Sequence, residues 1–158
     1  MNHRVTNIII AGLGGQGVLT AAGIVADAAF RCGHDVKQSE LHGMSQRGGS
    51  VSSDIRYGHK VFSPMVPTGE ADFLVVVATD QIEVNRHQLR HGGVLITPDA
   101  IDPSKLTNKK SFNVAQLGVL SRHLDIPESV WHDAIRAAFP EKLHAANFQA
   151  FALGRKGT

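Results

Sequence analysis

The sequence predicts an α/β fold built on one open sheet, with helices on both faces, a hairpin insertion and a helical C-terminal tail. Three observations carry that expectation. Residues 8–11 (Ile8, Ile9, Ile10, Ala11) form an apolar strand that runs straight into a glycine-rich turn, IIIAGLGGQG. Val18 to Arg31 then repeats apolar residues at helical spacing (Val18, Ala22, Val25, Ala26, Ala29), so strand, glycine turn and helix open a Rossmann-like unit. Residues 71–78, ADFLVVVA, are a second continuous apolar run with the length of a central, doubly covered strand.

Composition narrows the class. At 158 residues, 42% hydrophobic and 19% charged, the chain has enough apolar material for one well-formed domain spanning residues 1–158. The net charge of +2 comes from scattered basic residues, so no nucleic-acid stripe and no polybasic membrane segment is expected. No apolar run is long enough to span a bilayer, and MNHRVTN lacks a signal-peptide layout. A cytoplasmic location is the expectation. The single cysteine, Cys32, rules out an internal disulfide, a four-cysteine zinc site and a cysteine-ligated iron–sulfur cluster within this chain. An inert thiol near a helix end is its expected role.

In the first loop, Gly12, Gly14 and Gly17 stand at GxGxxG spacing, with Gly15 and Gln16 between them. Glycines there permit a tight turn and close helix packing, and the free N–H groups behind them can hold an anion. The same pattern also serves a plain strand-to-helix turn. Residues 34–39 read as a second strand. A nicotinamide-binding fold would want an acidic residue at its end, and Glu40 is the candidate, though late for that spacing. Next comes LHGMSQRGGS, residues 41–50, a polar glycine-rich loop holding His42, Gly43, Ser45, Gln46, Arg47, Gly48 and Gly49. An arginine beside two glycines presents its planar fork next to exposed backbone N–H groups, which suits a carboxylate or phosphate. His42 can titrate near neutrality or hydrogen-bond the loop, and a solvated surface connection is the plainer alternative.

Residues 51–57 alternate, with Val51, Ser53, Ile55 and Tyr57 on one side, so a half-buried strand is expected. Gly58-His59 followed by residues 60–62 suggests a hairpin. Met65 and Val66 make an apolar point in a proline-rich loop, packed on the domain or on a partner. After the central strand, Thr79 or Asp80 caps a predicted helix over residues 81–90, and Asp80 also stands where open sheets bind ligands. Gly92-Gly93 ends that helix before a strand at residues 94–97. His87 and His91 have the spacing of helical metal ligands, but no third ligand is evident and Arg86 and Arg90 would repel a cation. No metal site is expected. Residues 100–110 read as a loop and residues 111–114 as a last strand. From Ala115 the chain reads as helical, with Leu117, Val119, Leu120 and Leu124 on one apolar face, and two further helices follow, one with Pro127 in its first turn and one over residues 142–153. Trp131 is expected as a core anchor between them rather than a ligand contact.

The chemistry points away from a self-sufficient enzyme. GxSxG, HExxH and GxxxxGK[ST] are all missing, and no catalytic residue is assigned. What remains is two glycine-rich loops, each after a predicted strand and expected to face one crevice.

Those loops carry a family resemblance. GLGGQGVLTAAGIVADAA and SELHGMSQRGGSVSSDIRYG resemble the gamma-type domain of 2-oxoacid:ferredoxin oxidoreductases, closest to the beta subunit of the indolepyruvate branch. The GGQG run at residues 14–17 is shared widely among gamma domains, whereas HGMSQRGGSV at residues 42–51 is particular to that branch. SPMVPTGEAD, GGVLI and the tail from Ile126 to Gly154 extend the resemblance over nearly the whole chain.

The resemblance implies an accessory subunit. It implies a complex that decarboxylates a 2-oxoacid, here an arylpyruvate, on thiamine diphosphate, passes electrons through 4Fe-4S clusters to ferredoxin and yields an acyl-CoA. Thiamine diphosphate and the clusters are expected in a large partner subunit, with coenzyme A as co-substrate and no cofactor bound by this chain alone. Gly12, Gly14, Gly15, Gln16 and Gly17 would shape a crevice, and Arg47 with Gly48-Gly49 would meet an anionic group or the partner. Self-association of the isolated chain into a homo-oligomer is left open. The chain is short for such a subunit, because only a loop and a short strand separate Ile96 from the helical tail. One crevice wall is therefore expected to be reduced. The alternative reading is a free-standing Rossmann-like module that binds a nucleotide or coenzyme A, as an NAD(P)-dependent reductase or a regulatory protein.

Overall fold

A computed structural model describes residues 4–42 and 49–157. Five strands form one sheet in the order β2-β3-β1-β4-β5. They are β1 (Thr6–Leu13), β2 (Asp35–His42), β3 (Ser50–Gly58), β4 (Ala71–Val76) and β5 (Leu89–Ile96). β1 runs parallel to β4, and β4 to β5, whereas β3 is antiparallel to both β1 and β2. Four strands therefore point one way, and their carboxyl ends share one edge with the start of β3. The glycine-rich loops leave from that edge.

Alternation distributes the apolar residues between two faces. Ile8, Ile10, Ile55, Tyr57 and Val75 face the larger core, while Ile9, Leu74 and Val76 face a smaller one. The larger core is closed by α1 (Val18–Arg31), α3 (Phe112–Ser121), α4 (Glu128–Ala138) and α5 (His144–Lys156). On the other face, Val66 of the loop after β3 and Ile82 of the short α2 (Ile82–Asn85) cover the sheet. Trp131 of α4 is fully buried with its ring 5.7 Å from that of Phe151, which makes it the expected core anchor. Val66 packs on the chain's own sheet, whereas Met65 stays exposed.

Several local expectations are corrected. No strand forms at residues 60–62; the Val61 N–H donates to Asp35 Oδ2 instead, at 2.8 Å. The antiparallel pair that does form is β2 with β3, joined through the second glycine loop. The segment after β4 is not one helix to residue 90. A 3-10 turn at Thr79–Gln81, α2 and a second 3-10 turn at Arg86–Gln88 lead into β5, which already begins at Leu89. Gly92 and Gly93 therefore lie within a strand, at an irregularity where Gly92 takes φ 77°. Residues 111–114 open α3 rather than forming a strand. There the Gln116 amide donates to the Val76 carbonyl, tying α3 to the end of β4.

At the opposite edge, Asp72 fastens the starts of three strands. One oxygen accepts from Arg4 at 2.5 Å and Arg90 at 2.7 Å, and the other from the Asn7 N–H at 2.8 Å. Burial alone would raise its pKa, but these donors outweigh that and hold it below the ordinary carboxylate value. A carboxyl with a lowered native pKa contributes stability that is present above its unfolded pKa and lost as pH falls through the native one. Asp72→Asn is therefore expected to cost about 2 kcal/mol at neutral pH. Urea unfolding of both proteins should show that gap steady above about pH 5 and closing below about pH 4.

Candidate functional site

The first glycine loop is a compact turn whose parts hold one another. Gln16 folds back so that its Oε1 accepts the Leu13 N–H at 2.8 Å. Gly12 is buried there, and a Cβ on it would lie 2.9 Å from Gln16 Oε1 and 3.0 Å from a Val18 methyl. Gly17 precedes α1 with φ 76°, and its carbonyl accepts from the Ala21 N–H and from the Asn113 amide at 3.0 Å. No side chain caps α1 and no acidic residue stands in its first turn. The opening N–H groups and the positive end of the helix dipole are thus directed at the loop.

The second loop meets the first. Gly14 donates its N–H to the Gly49 carbonyl at 2.8 Å, and Ser50 Oγ donates to Gln81 Oε1 at 2.8 Å. Gly49, Ser50 and the turn after β4 therefore meet the first loop at one edge of the sheet. A hollow of about 300 Å³ lies between Gly14, Gly15, Leu19 and Val51. A second of about 560 Å³ lies on the other side, lined by Gln16, Gly17, Lys109, Lys110, Phe112 and Phe139. Lys109 and Lys110 are exposed, in the 3-10 turn that opens into α3. Together with the α1 terminus they make this hollow a place for negative charge. In sequence the two lysines read as loop filler; only the packing of α3 against Gly17 brings them here.

Gly43, Ser45, Gln46, Arg47 and Gly48 lie outside the described residues, as does the side chain of His42. The backbone of His42 ends β2 opposite Val51. Glu40 is exposed on β2, and β3 separates that strand from β1. At about 4.8 Å per strand the ribose-binding role is out of reach, which weighs against a nicotinamide site. Asp80 is exposed and no side chain caps the turn around it, so the capping expectation is corrected. His87 sits in a 3-10 turn and His91 in a strand, so they never share a helix face. Among the described residues no three His, Cys, Asp or Glu side chains cluster as metal ligands. Cys32 follows α1, exposed, and desolvation followed by the Asp125 charge pushes its thiol pKa up. No helix among the described residues is long and apolar enough to cross a membrane.

The fold and the paired loops define an α/β module of the gamma-subunit type. The keto/oxoacid ferredoxin oxidoreductase gamma subunit from Geobacter sulfurreducens superposes with a TM-score of 0.81 at 23% identity, covering 96% of each chain. A 2-oxoglutarate:ferredoxin oxidoreductase from Magnetococcus marinus, bound to 2-oxoglutarate, coenzyme A and succinyl-CoA, superposes at 0.84 and 19% identity. That match covers 98% of this chain and 31% of the other. In sequence, residues 7–107 match the family model for pyruvate ferredoxin/flavodoxin oxidoreductase, and the chain belongs to that family. The indolepyruvate oxidoreductase subunit IorB of Thermococcus kodakarensis is 34% identical, covering 95% of this chain and 94% of the relative. IorB of Pyrococcus horikoshii matches to the same extent. The first alignment runs over 192 positions against a chain of 158 residues, so the relative carries segments that this chain lacks.

Proposed function

We propose that residues 1–158 act as the single-domain accessory subunit of a thiamine-diphosphate-dependent 2-oxoacid:ferredoxin oxidoreductase of the indolepyruvate type. On this reading the complex converts an arylpyruvate to its acyl-CoA in the cytoplasm and passes the electrons to ferredoxin. Thiamine diphosphate and 4Fe-4S clusters reside in a larger companion subunit. A chain with one cysteine has no ligand set for such a cluster, in keeping with that division.

The observation that carries this chain's share is the crevice at the carboxyl edge. Loop N–H groups, the uncapped start of α1 and two lysines converge there without a carboxylate in the helix's first turn. Coenzyme A brings phosphates that suit such a place, and in the complex it supplies the thiol that accepts the acyl group. Gly12, Gly14, Gly15, Gln16 and Gly17 shape the crevice, and Lys109 and Lys110 hold the anion. Arg47, with the neighbouring His42, Gly43, Ser45, Gln46, Gly48 and Gly49, meets the same anion or the companion subunit.

The test is made in the assembled complex. Replacing Lys109 and Lys110 together by Gln should raise the KM for coenzyme A roughly tenfold, with association unchanged. Arg47→Ala should weaken coenzyme A-dependent turnover or subunit association. Wild-type values for both variants would remove the crevice from the reaction.

A further inference from the structure

The two faces of the sheet are covered unequally. Four helices close the side of the larger core, whereas the other side has the loop after β3 and the short α2. Register puts the odd-numbered residues of β2 on that second side, since Ser39 stands opposite Asp54 and Asp54 opposite Ile9 of the smaller core. Among the described residues five large apolar side chains are exposed. Leu41, Phe62, Met65 and Val84 belong to this thinly covered side, and Phe30 alone to the other. Single exposed apolar residues need no explanation, but four gathered on one face mark a contact.

The loop that carries Phe62 and Met65 is strapped to the sheet by side chains. Asp35 accepts the Val61 N–H at 2.8 Å and Asp54 the Val66 N–H at 2.9 Å. Arg56 donates to the Ser63 carbonyl at 2.9 Å, and Ser39 Oγ to the Pro64 carbonyl at 3.3 Å. A loop fixed in advance loses little conformational freedom when its exposed side chains are covered.

Charge has opposite sign at the two ends of this face. Over β2 stand Lys37 and Lys60 against one carboxylate, Asp35, which Lys37 approaches at 3.8 Å. Lys60 Nζ lies 5.9 Å from the centre of the Phe62 ring. Toward β4 stand Glu70, Asp80 and Glu83 against one guanidinium, Arg86, which pairs with Glu83 at 2.8 Å. Asp54 and Arg56, between them, offset each other. A face that is positive at one end and negative at the other complements itself across a two-fold axis.

We propose that this face joins two copies of the chain in an isologous dimer. Lys60 and Phe62 of one copy meet Asp80 and Val84 of the other, with Met65 near the axis. The contact is separate from the glycine crevice and holds whether or not the proposed function does.

Sedimentation equilibrium of the full chain tests it. The chain should dimerise with Kd below about 50 μM, and Phe62→Ser should weaken that at least roughly tenfold. Phe62 is 86% exposed, so this variant should keep the wild-type Tm. Lys60→Glu and Asp80→Lys should each weaken self-association at least about tenfold, because each sets like charges together twice in the dimer. An equimolar mixture of those two variants should dimerise again, since both of its contacts then pair opposite charges. A chain monomeric at about 500 μM overturns the proposal. So does a dimer that Phe62→Ser leaves unchanged, or a mixture that stays monomeric. Slower amide exchange at residues 61–66 only on adding the larger companion subunit would give the face to that subunit and overturn it too.

Discussion

Gly154→Ala is expected to lower the stability of the chain by about 3 kcal/mol, a loss of roughly 6–12 °C in Tm at this size. A Cβ on Gly154 would fall on the Ala115 carbonyl oxygen and lie 2.9 Å from the Val119 nitrogen. A Cβ on Gly118 would meet the Phe151 carbonyl in the same way, and 3.0 Å from Gly154 Cα. The obstacles are backbone atoms, so no rotamer change relieves them. α3 and α5 lie backbone on backbone here, and one methyl forces them apart along a contact that closes the larger core. Gly118→Ala and Gly154→Ala should not add, because the first substitution already opens the gap that the second needs. Urea unfolding of both single variants and the double variant measures this. Full additivity would mean that the two glycines act at separate contacts.

The second large effect falls on the crevice. Gly17→Ala places a side chain at φ 76° and drives its Cβ into the Asn113 amide, 3.1 Å from Cγ. The left-handed backbone costs about 1 kcal/mol for alanine. The collision also breaks the Asn113 hydrogen bond to the Gly17 carbonyl, through which the start of α3, with Lys109 and Lys110 just before it, is tied to the loop. In the complex, coenzyme A-dependent turnover should fall at least roughly tenfold, more than stability alone accounts for. Adding Asn113→Ala removes the obstacle but not the strain, so the double variant should regain part of the stability and little of the turnover. Full recovery of turnover would show that the loop's own conformation is not what the site requires.

Much of the architecture is legible in the chain because its strongest signals are local. α1 runs from Val18 to Arg31, as its periodicity and bracketing glycines indicate, and ADFLVVVA is the doubly covered strand next to β1. β3 buries Ser53, Ile55 and Tyr57, the alternation its sequence displays. Errors arise where a distant residue decides. Residues 60–62 have strand-like composition, yet the Val61 N–H is claimed by Asp35, 26 positions away, and Phe62 is left 86% exposed. LRHGG looks like a helix end and becomes a strand because β4 offers it a partner. The glycine loops announced the candidate site, since close backbone approach has a local signature. Lys109 and Lys110 did not, because nothing near them in sequence indicates that Asn113 reaches Gly17. Arg47 and its neighbours rest on the family resemblance alone.

The most direct test of the subunit assignment is anaerobic affinity purification of this chain, at native expression, from its own cells. The account predicts that it brings down a large brown companion containing thiamine diphosphate and iron–sulfur clusters. That complex should reduce a dye only when an arylpyruvate and coenzyme A are both present. A colourless chain recovered alone, with no such activity in the fraction, would contradict it.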